Sequence, residues 1–109
     1  MLSKIYQLAP KSTIAKIAKR GRVCKGDFFT VKFVKNYQKG PRFAVNVGLW
    51  IDKRATRRNK IKRKIHYFIE QIMPELSNFS YDIILILRKK PQDFNRLPED
   101  LKKCFEKLP

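Results

Sequence analysis

The chain has 109 residues, and 26 Lys and Arg against nine Asp and Glu give it a formal net charge of +17. That length supports one domain spanning residues 1–109 with a single modest core, and a hydrophobic share of 43% sets it apart from a disordered basic tail. No apolar run nears the ~20 residues that span a bilayer, the opening MLSKIYQLAPKS lacks a signal-like apolar stretch, and Cys24 and Cys104 fit no zinc spacing, so a protein of the reducing cytoplasm is expected.

Pro10 with Ser12 or Thr13 reads as the start of a short helix, Ile14, Ala15, Ile17 and Ala18 as its apolar stripe, and Gly21 as its stop. Arg22 to Lys25 reads as a short strand before a Gly26-Asp27 turn. Phe28 to Lys35 alternates, with Phe29, Val31 and Phe33 on one face and Thr30 and Lys32 on the other. Arg42 to Ile51 alternates again: Phe43, Val45, Val47, Leu49 and Ile51 face a core, while Arg42, Ala44, Asn46, Gly48 and Trp50 form a small, polar face able to line a groove. The two strands predict an antiparallel hairpin.

From Ala55 the period changes to that of a helix. Ile61, Ile65, Phe68, Ile69, Ile72 and Met73 form one stripe, Asn59, Arg63, His66 and Glu70 lie opposite, and Pro74 is the expected end. Tyr81 to Leu87 is apolar without alternation, as in a strand covered on both faces and parallel to a neighbour. Pro98 then opens a last helix with Leu101, Cys104, Phe105 and Leu108 as its stripe. The order predicts an α+β fold, a small two-layer sandwich running α-β-β-β-α-β-α.

The charge is not evenly spread. Residues 1–64 hold 19 of the basic residues and only Asp27 and Asp52 as acids, whereas residues 65–109 are neutral. Lys53 to Lys64 packs eight Lys and Arg into twelve positions, a self-repelling array that a polyanion offsets. The run supplies Lys53, Arg54, Arg57, Arg58, Lys60, Lys62 and Arg63 as phosphate contacts, with His66 facing phosphate or solvent. Asn59 either meets a ribose or base edge or caps a helix turn. An anionic membrane is disfavoured, because the apolar residues of this helix are needed for the core.

Phe28, Phe29, Tyr37 and Trp50 are candidates for stacking on unpaired bases, with core packing the ordinary alternative for strand aromatics. The one histidine, His66, forms no triad, and no phosphate loop or metalloprotease motif occurs. No catalytic residue and no metal ligand is therefore assigned. Asp82 is expected to be structural, and the two cysteines ordinary thiols.

Ala55-Thr56-Arg57-Arg58-Asn59-Lys60-Ile61-Lys62-Arg63 resembles the signature of the bacterial ribonuclease P protein component. The resemblance extends to the Ser12–Gly21 helix, the two alternating strands, Tyr81-Asp82-Ile83-Ile84 with Arg88-Lys89, and the closing helix. It implies a left-handed βαβ crossover like that in a small-subunit ribosomal protein domain. It also implies a partner, the catalytic ribonuclease P RNA, and a second, precursor tRNA, whose 5′ leader is removed with Mg²⁺ held by RNA and no cofactor on the protein. Arg58, Asn59, Lys60, Lys62 and Arg63 match the motif that contacts the RNA subunit.

The resemblance further places the leader in a cleft between the first helix and the sheet, where Ile14, Phe28, Thr30, Lys32, Asn46 and Trp50 are the candidates. Here the chain departs from the family: Gly48-Leu49-Trp50-Ile51 replaces a Ser-Lys-Lys, His66 replaces an Arg, and Ile14 and Ala18 replace aromatics. Trp50 is the expected substitute stacking surface. The free protein is expected to be a monomer. The alternative is a ribosomal-type structural RNA-binding protein; a stand-alone nuclease lacks its acid and base.

Overall fold

Strand Tyr81–Leu87 is the organising element, because apolar side chains at nearly every position require cover on both faces. In the computed structural model, which describes residues 17, 19, 21–36, 40–76, 80–90 and 92–107, it takes an interior position of a four-stranded sheet. The strands are β1 (Arg22–Lys25), β2 (Phe29–Lys35), β3 (Arg42–Asn46) and β4 (Tyr81–Leu87), in spatial order β1-β2-β4-β3. β2 pairs antiparallel with β1 and β4, and β3 pairs parallel with β4.

This order corrects the expected hairpin. β2 and β3 do not pair; β4 lies between them. Asp82, the one acid in β4, helps to hold the arrangement. It is 5% exposed and accepts hydrogen bonds from Asn36 Nδ2 at 3.0 Å and from Arg42 Nε and Nη2 at 2.8 and 2.7 Å. One buried carboxylate thus ties the end of β2 to the start of β3 across β4. Beside Asp82 the Arg42 guanidinium is held above its ordinary pKa, chiefly by that hydrogen bond. Asn36 also reaches the carbonyl of Gly40, whose φ of 98° lies in the left-handed region that favours glycine.

The second alternating strand is also shorter than expected. It ends at Asn46, and Gly48 to Ile51 forms a turn closed by the Ile51 amide on the Gly48 carbonyl at 3.1 Å. Val47 and Ile51 still enter the core, but Leu49 is 66% exposed, because the turn breaks the period of two.

Helix α1 (Ala55–Leu76) crosses from β3 to β4, and α2 (Leu97–Glu106) follows a 3-10 turn at Phe94–Arg96. α1 continues two residues past Pro74, which corrects the expected end there: the φ that a proline ring imposes is compatible with a helix, and the lost donor lies only two residues from the helix end. Ile61, Ile65, Ile69 and Ile72 pack with Phe29, Val31, Phe33, Ile83, Leu85 and Leu87 on one face of the sheet, and Leu97, Leu101, Cys104 and Phe105 of α2 complete that core.

The other sheet face carries a smaller cluster, in which Ile17 covers Ile84 beside Val34, Ala44 and Ile86. Ile17 and Lys19 are helical, and the Gly21 amide closes on the Ile17 carbonyl at 2.7 Å. A Cβ at Gly21 would stand 2.4 Å from that oxygen, so only glycine permits the exit. The rest of the expected first helix, with Ile14, Ala15 and Ala18, lies outside the described residues, as do Tyr37 and Leu108.

Candidate nucleic-acid interface

Helix α1 begins in an unusual electrostatic setting. The positive end of a helix dipole ordinarily attracts acids, yet the first turn of α1 contains none. Asp52, just upstream, is already engaged: its Oδ1 accepts the Arg54 amide at 2.9 Å, and Lys90 Nζ lies 3.9 Å from its Oδ2. The Arg54 amide, followed by the nearby Arg54 and Lys90 charges, holds the Asp52 carboxyl below the ordinary range despite opposing desolvation. Free amides, the dipole and the basic run together point at an external anion.

The helical period divides the expected contacts into groups. Arg58 turns inward, where its Nη1 donates to the carbonyls of Asp52 at 3.1 Å and Lys53 at 2.9 Å, bracing the entry loop. Lys53 and Arg54 are exposed in that loop. Asn59 and Arg63, one turn apart, are both exposed on the outer face, so Asn59 lies well inside the helix and does not cap it. Arg57, Lys60 and Lys64 form a flank facing Lys90 and Phe94. Lys62 and His66, also one turn apart, are half-buried on the opposite flank. Lys64, Lys90 and Phe94 are missing from the set read from the sequence; only the structure reveals that a segment 30 residues downstream returns to this helix.

His66 Nδ1 is buried without a hydrogen-bond partner. Burial is the main reason its pKa falls below 6.5, with Lys62 adding to the effect and Glu70 opposing it. The unfolded chain therefore takes up a proton near 6.5 while the folded chain does so only at lower pH. Between those values stability falls as pH falls. Following the His66 ring protons by NMR should give a midpoint below 6.5 in the free protein; one at or above it would contradict this environment.

The sheet face bearing Ile17 holds the second candidate surface. Strand register aligns Lys25, Thr30, Ile86 and Asn46 in one row across all four strands, and Val23, Lys32, Ile84 and Ala44 in the next. Thr30, Lys32 and Asn46 therefore share a face, as the alternation predicts. Phe28 does not join them: it precedes β2, packs against the helix-covered core and has Lys89 Nζ 5.4 Å from its ring. Trp50 is not on a strand. It lies in the turn after β3, 59% exposed, with its indole Nε1 donating to the Leu87 carbonyl at 2.8 Å. That carbonyl follows Ile86, the last residue of β4 paired with β3, so Trp50 stands past the end of the β3–β4 pairing. Its ring covers Gly48, where a Cβ would meet the indole. Ile14 lies outside the described residues.

Among the described residues, no three His, Cys, Asp or Glu side chains are grouped to hold a metal, and no helix is long and apolar enough to cross a membrane. The buried carboxylates have structural partners. Asp100, 4% exposed, accepts the amides of Asp27, Phe28 and Phe29 at 2.7, 3.0 and 3.1 Å, a role the sequence does not suggest. Burial pushes the Cys104 thiol up to about 12, so it is no thiolate nucleophile at neutral pH, and Cys24 and Cys104 are both free.

Comparison with known proteins agrees with this geometry. The Ribonuclease P family model matches residues 2–109. The ribonuclease P protein component of Mycoplasma mobile is 34% identical over 89 residues, covering 77% of this chain and 76% of that protein. The ribonuclease P protein of Thermotoga maritima superposes with a TM-score of 0.81 at 27% identity, covering 94% and 97% of the two chains. That of Staphylococcus aureus superposes with a TM-score of 0.79 at 23% identity, covering 93% of each, which bears on the fold alone.

Proposed function

The chain belongs to the ribonuclease P protein family, and from that membership we propose that it is the protein subunit of a ribonuclease P, binding the catalytic RNA through α1 and the 5′ leader of precursor tRNA along the Ile17 side of the sheet. The observation that carries this reading is the start of α1, where an acid-free first turn carrying Arg57 and Arg58 sits on the positive end of a helix and the nearest acid is already engaged. Such a site is electrostatically unfavourable until phosphates neutralise it, and neutralisation releases condensed counterions.

The protein's contribution is then physical. Two RNAs repel each other, and a basic domain lying between them lowers that repulsion and fixes their relative position. Phosphodiester hydrolysis is assigned to the RNA subunit and its Mg²⁺. The described residues offer Mg²⁺ no carboxylate cluster, and Asp52, Asp82 and Asp100 are held by the protein's own amides, Asn36 and Arg42. No step of the chemistry is routed through this chain. A cytoplasmic location follows from the same reading, because precursor tRNA is its substrate.

On the Ile17 side of the sheet, Lys32 supplies the cation for a leader phosphate, and Thr30 and Asn46 supply hydrogen bonds that tolerate any base. Trp50, pinned through its indole N–H at the end of β4, provides a stacking plane for a base leaving the face. Replacing Lys32 and Trp50 together by alanine should weaken binding of leader-bearing precursor about tenfold or more, at about 1 kcal/mol for each side chain removed, while mature tRNA binds unchanged. Equal affinities of the variant and the wild-type complex for precursors with long and short leaders would refute the leader path. The ribosomal-type alternative is tested by the same comparison, since a structural RNA-binding protein has no reason to distinguish precursor from mature tRNA.

A further inference from the structure

Between the flank of α1 and the segment leaving β4 is a recess of about 230 Å³, lined by Arg57, Lys60, Ile61, Lys64, Lys90 and Phe94. Its lining is of two kinds. Ile61 is buried and Phe94 half-buried against the core, giving apolar ground, while four cations and no acid make up the remainder. Lys64 Nζ lies 4.4 Å from the centre of the Phe94 ring, whose electron-rich face draws that ammonium inward against the repulsion of its neighbours. Lys90 is steadied from the other side by Asp52, the same carboxylate that accepts the Arg54 amide. The recess is thus built from two chain segments, joined through one acid.

The two kinds of lining narrow the ligand. A duplex backbone offers phosphates with its bases turned inward, and a plain inorganic anion offers no ring; both would leave Phe94 and Ile61 unused. A ligand that satisfies the cations and the apolar ground together carries a phosphate and a flat ring. The volume is too small for more than one such unit. We propose that the recess binds a single unpaired nucleotide, its phosphate held by Lys60, Lys64 and Lys90 and its base laid against Phe94. On binding, the base takes the ring face and Lys64, on its flexible stem, turns to the phosphate. The nucleotide comes either from the RNA bound along α1, in which case the site rests on the RNA-binding function proposed above, or from the free nucleotide pool.

The direct test is titration of the full-length protein with adenosine monophosphate, inorganic phosphate and adenosine, monitoring the amides of Ile61, Lys90 and Phe94 by NMR. Adenosine monophosphate should saturate these signals with about tenfold higher affinity than either fragment, and Phe94→Leu should remove about tenfold of that while leaving the phosphate affinity unchanged. Lys90→Glu, an exposed substitution that spares the core, should weaken both nucleotide and phosphate. Equal affinities for nucleotide and phosphate, or shifts confined to residues outside the recess, would overturn the proposal.

A second arm separates the sources. Chemical probing of the ribonuclease P RNA should show an unpaired nucleotide protected by wild-type protein and exposed with Phe94→Leu, at an unchanged salt dependence of overall binding. If nucleotide binding is present but no RNA position responds to Phe94, the ligand is the free nucleotide. If the RNA does not bind wild-type protein at all, the proposed function fails, and the nucleotide titration alone decides the recess.

Discussion

Replacing Arg57, Lys60, Arg63 and Lys64 together by alanine should abolish tight binding of the ribonuclease P RNA without unfolding the protein. These four cations occupy the outer face and one flank of α1, and all are exposed. Each phosphate left without its cation takes about 0.9 off the slope of log affinity against log salt, so the slope should fall by about three to four. At about 1 kcal/mol or more per charged interaction, affinity should fall by roughly a thousandfold at moderate salt. Stability should move the other way. Removing like charges from the positive end of a helix, in favour of the best helix former, should leave the unfolding midpoint equal or higher. A variant that binds RNA with the wild-type slope would show that α1 is not the docking surface; one that fails to bind only because it unfolds would show that the charges are structural.

Asp100→Ala should have the largest effect on stability among changes to polar residues. Its carboxylate is enclosed between the first turn of α2 and the β1–β2 turn, and accepts three consecutive backbone amides. Gly26 makes room for this: a Cβ there would lie 2.6 Å from both Asp100 Oδ1 and Cys104 Sγ. Removing the carboxylate leaves three amides without their acceptor, one of them fully buried, at an expected cost of about 2–4 kcal/mol. Asp100→Asn, which keeps the shape and one acceptor oxygen, should cost less. Urea unfolding is the measurement, and an Asp100→Ala midpoint equal to wild type would mean the amides find other partners at no cost.

Elements with a strong period were readable from the sequence: the isoleucine stripe of α1, the alternation of β2, and the unbroken apolar run of β4 all form as their spacing demands. Pairing was less accessible. Alternation in Arg42–Ile51 and Phe28–Lys35 fits any neighbour, and nothing in it reveals that β4 lies between them with Asp82 bridging Asn36 and Arg42. The basic run was legible as a dense positive stretch because charge density is a sum over sequence. Which cations face outward was not, since Arg58 turns inward to brace carbonyls that no motif encodes. Phe28 and Trp50 illustrate the same limit: one falls just before β2 and the other in the turn that follows β3, where alternation no longer dictates a face. Lys90 and Phe94 were invisible as partners of α1 because their proximity is created only by the crossover from β3 to β4.

The most direct test of the central claim, that this chain supplies charge and position while RNA supplies chemistry, is cleavage of precursor tRNA at limiting Mg²⁺ by the protein alone, by the ribonuclease P RNA alone and by the two together. Cleavage at the 5′ leader by the mixture, little by the RNA alone and none by the protein alone is the expected result. Cleavage by the protein alone, or a mixture no faster than the RNA, would contradict it.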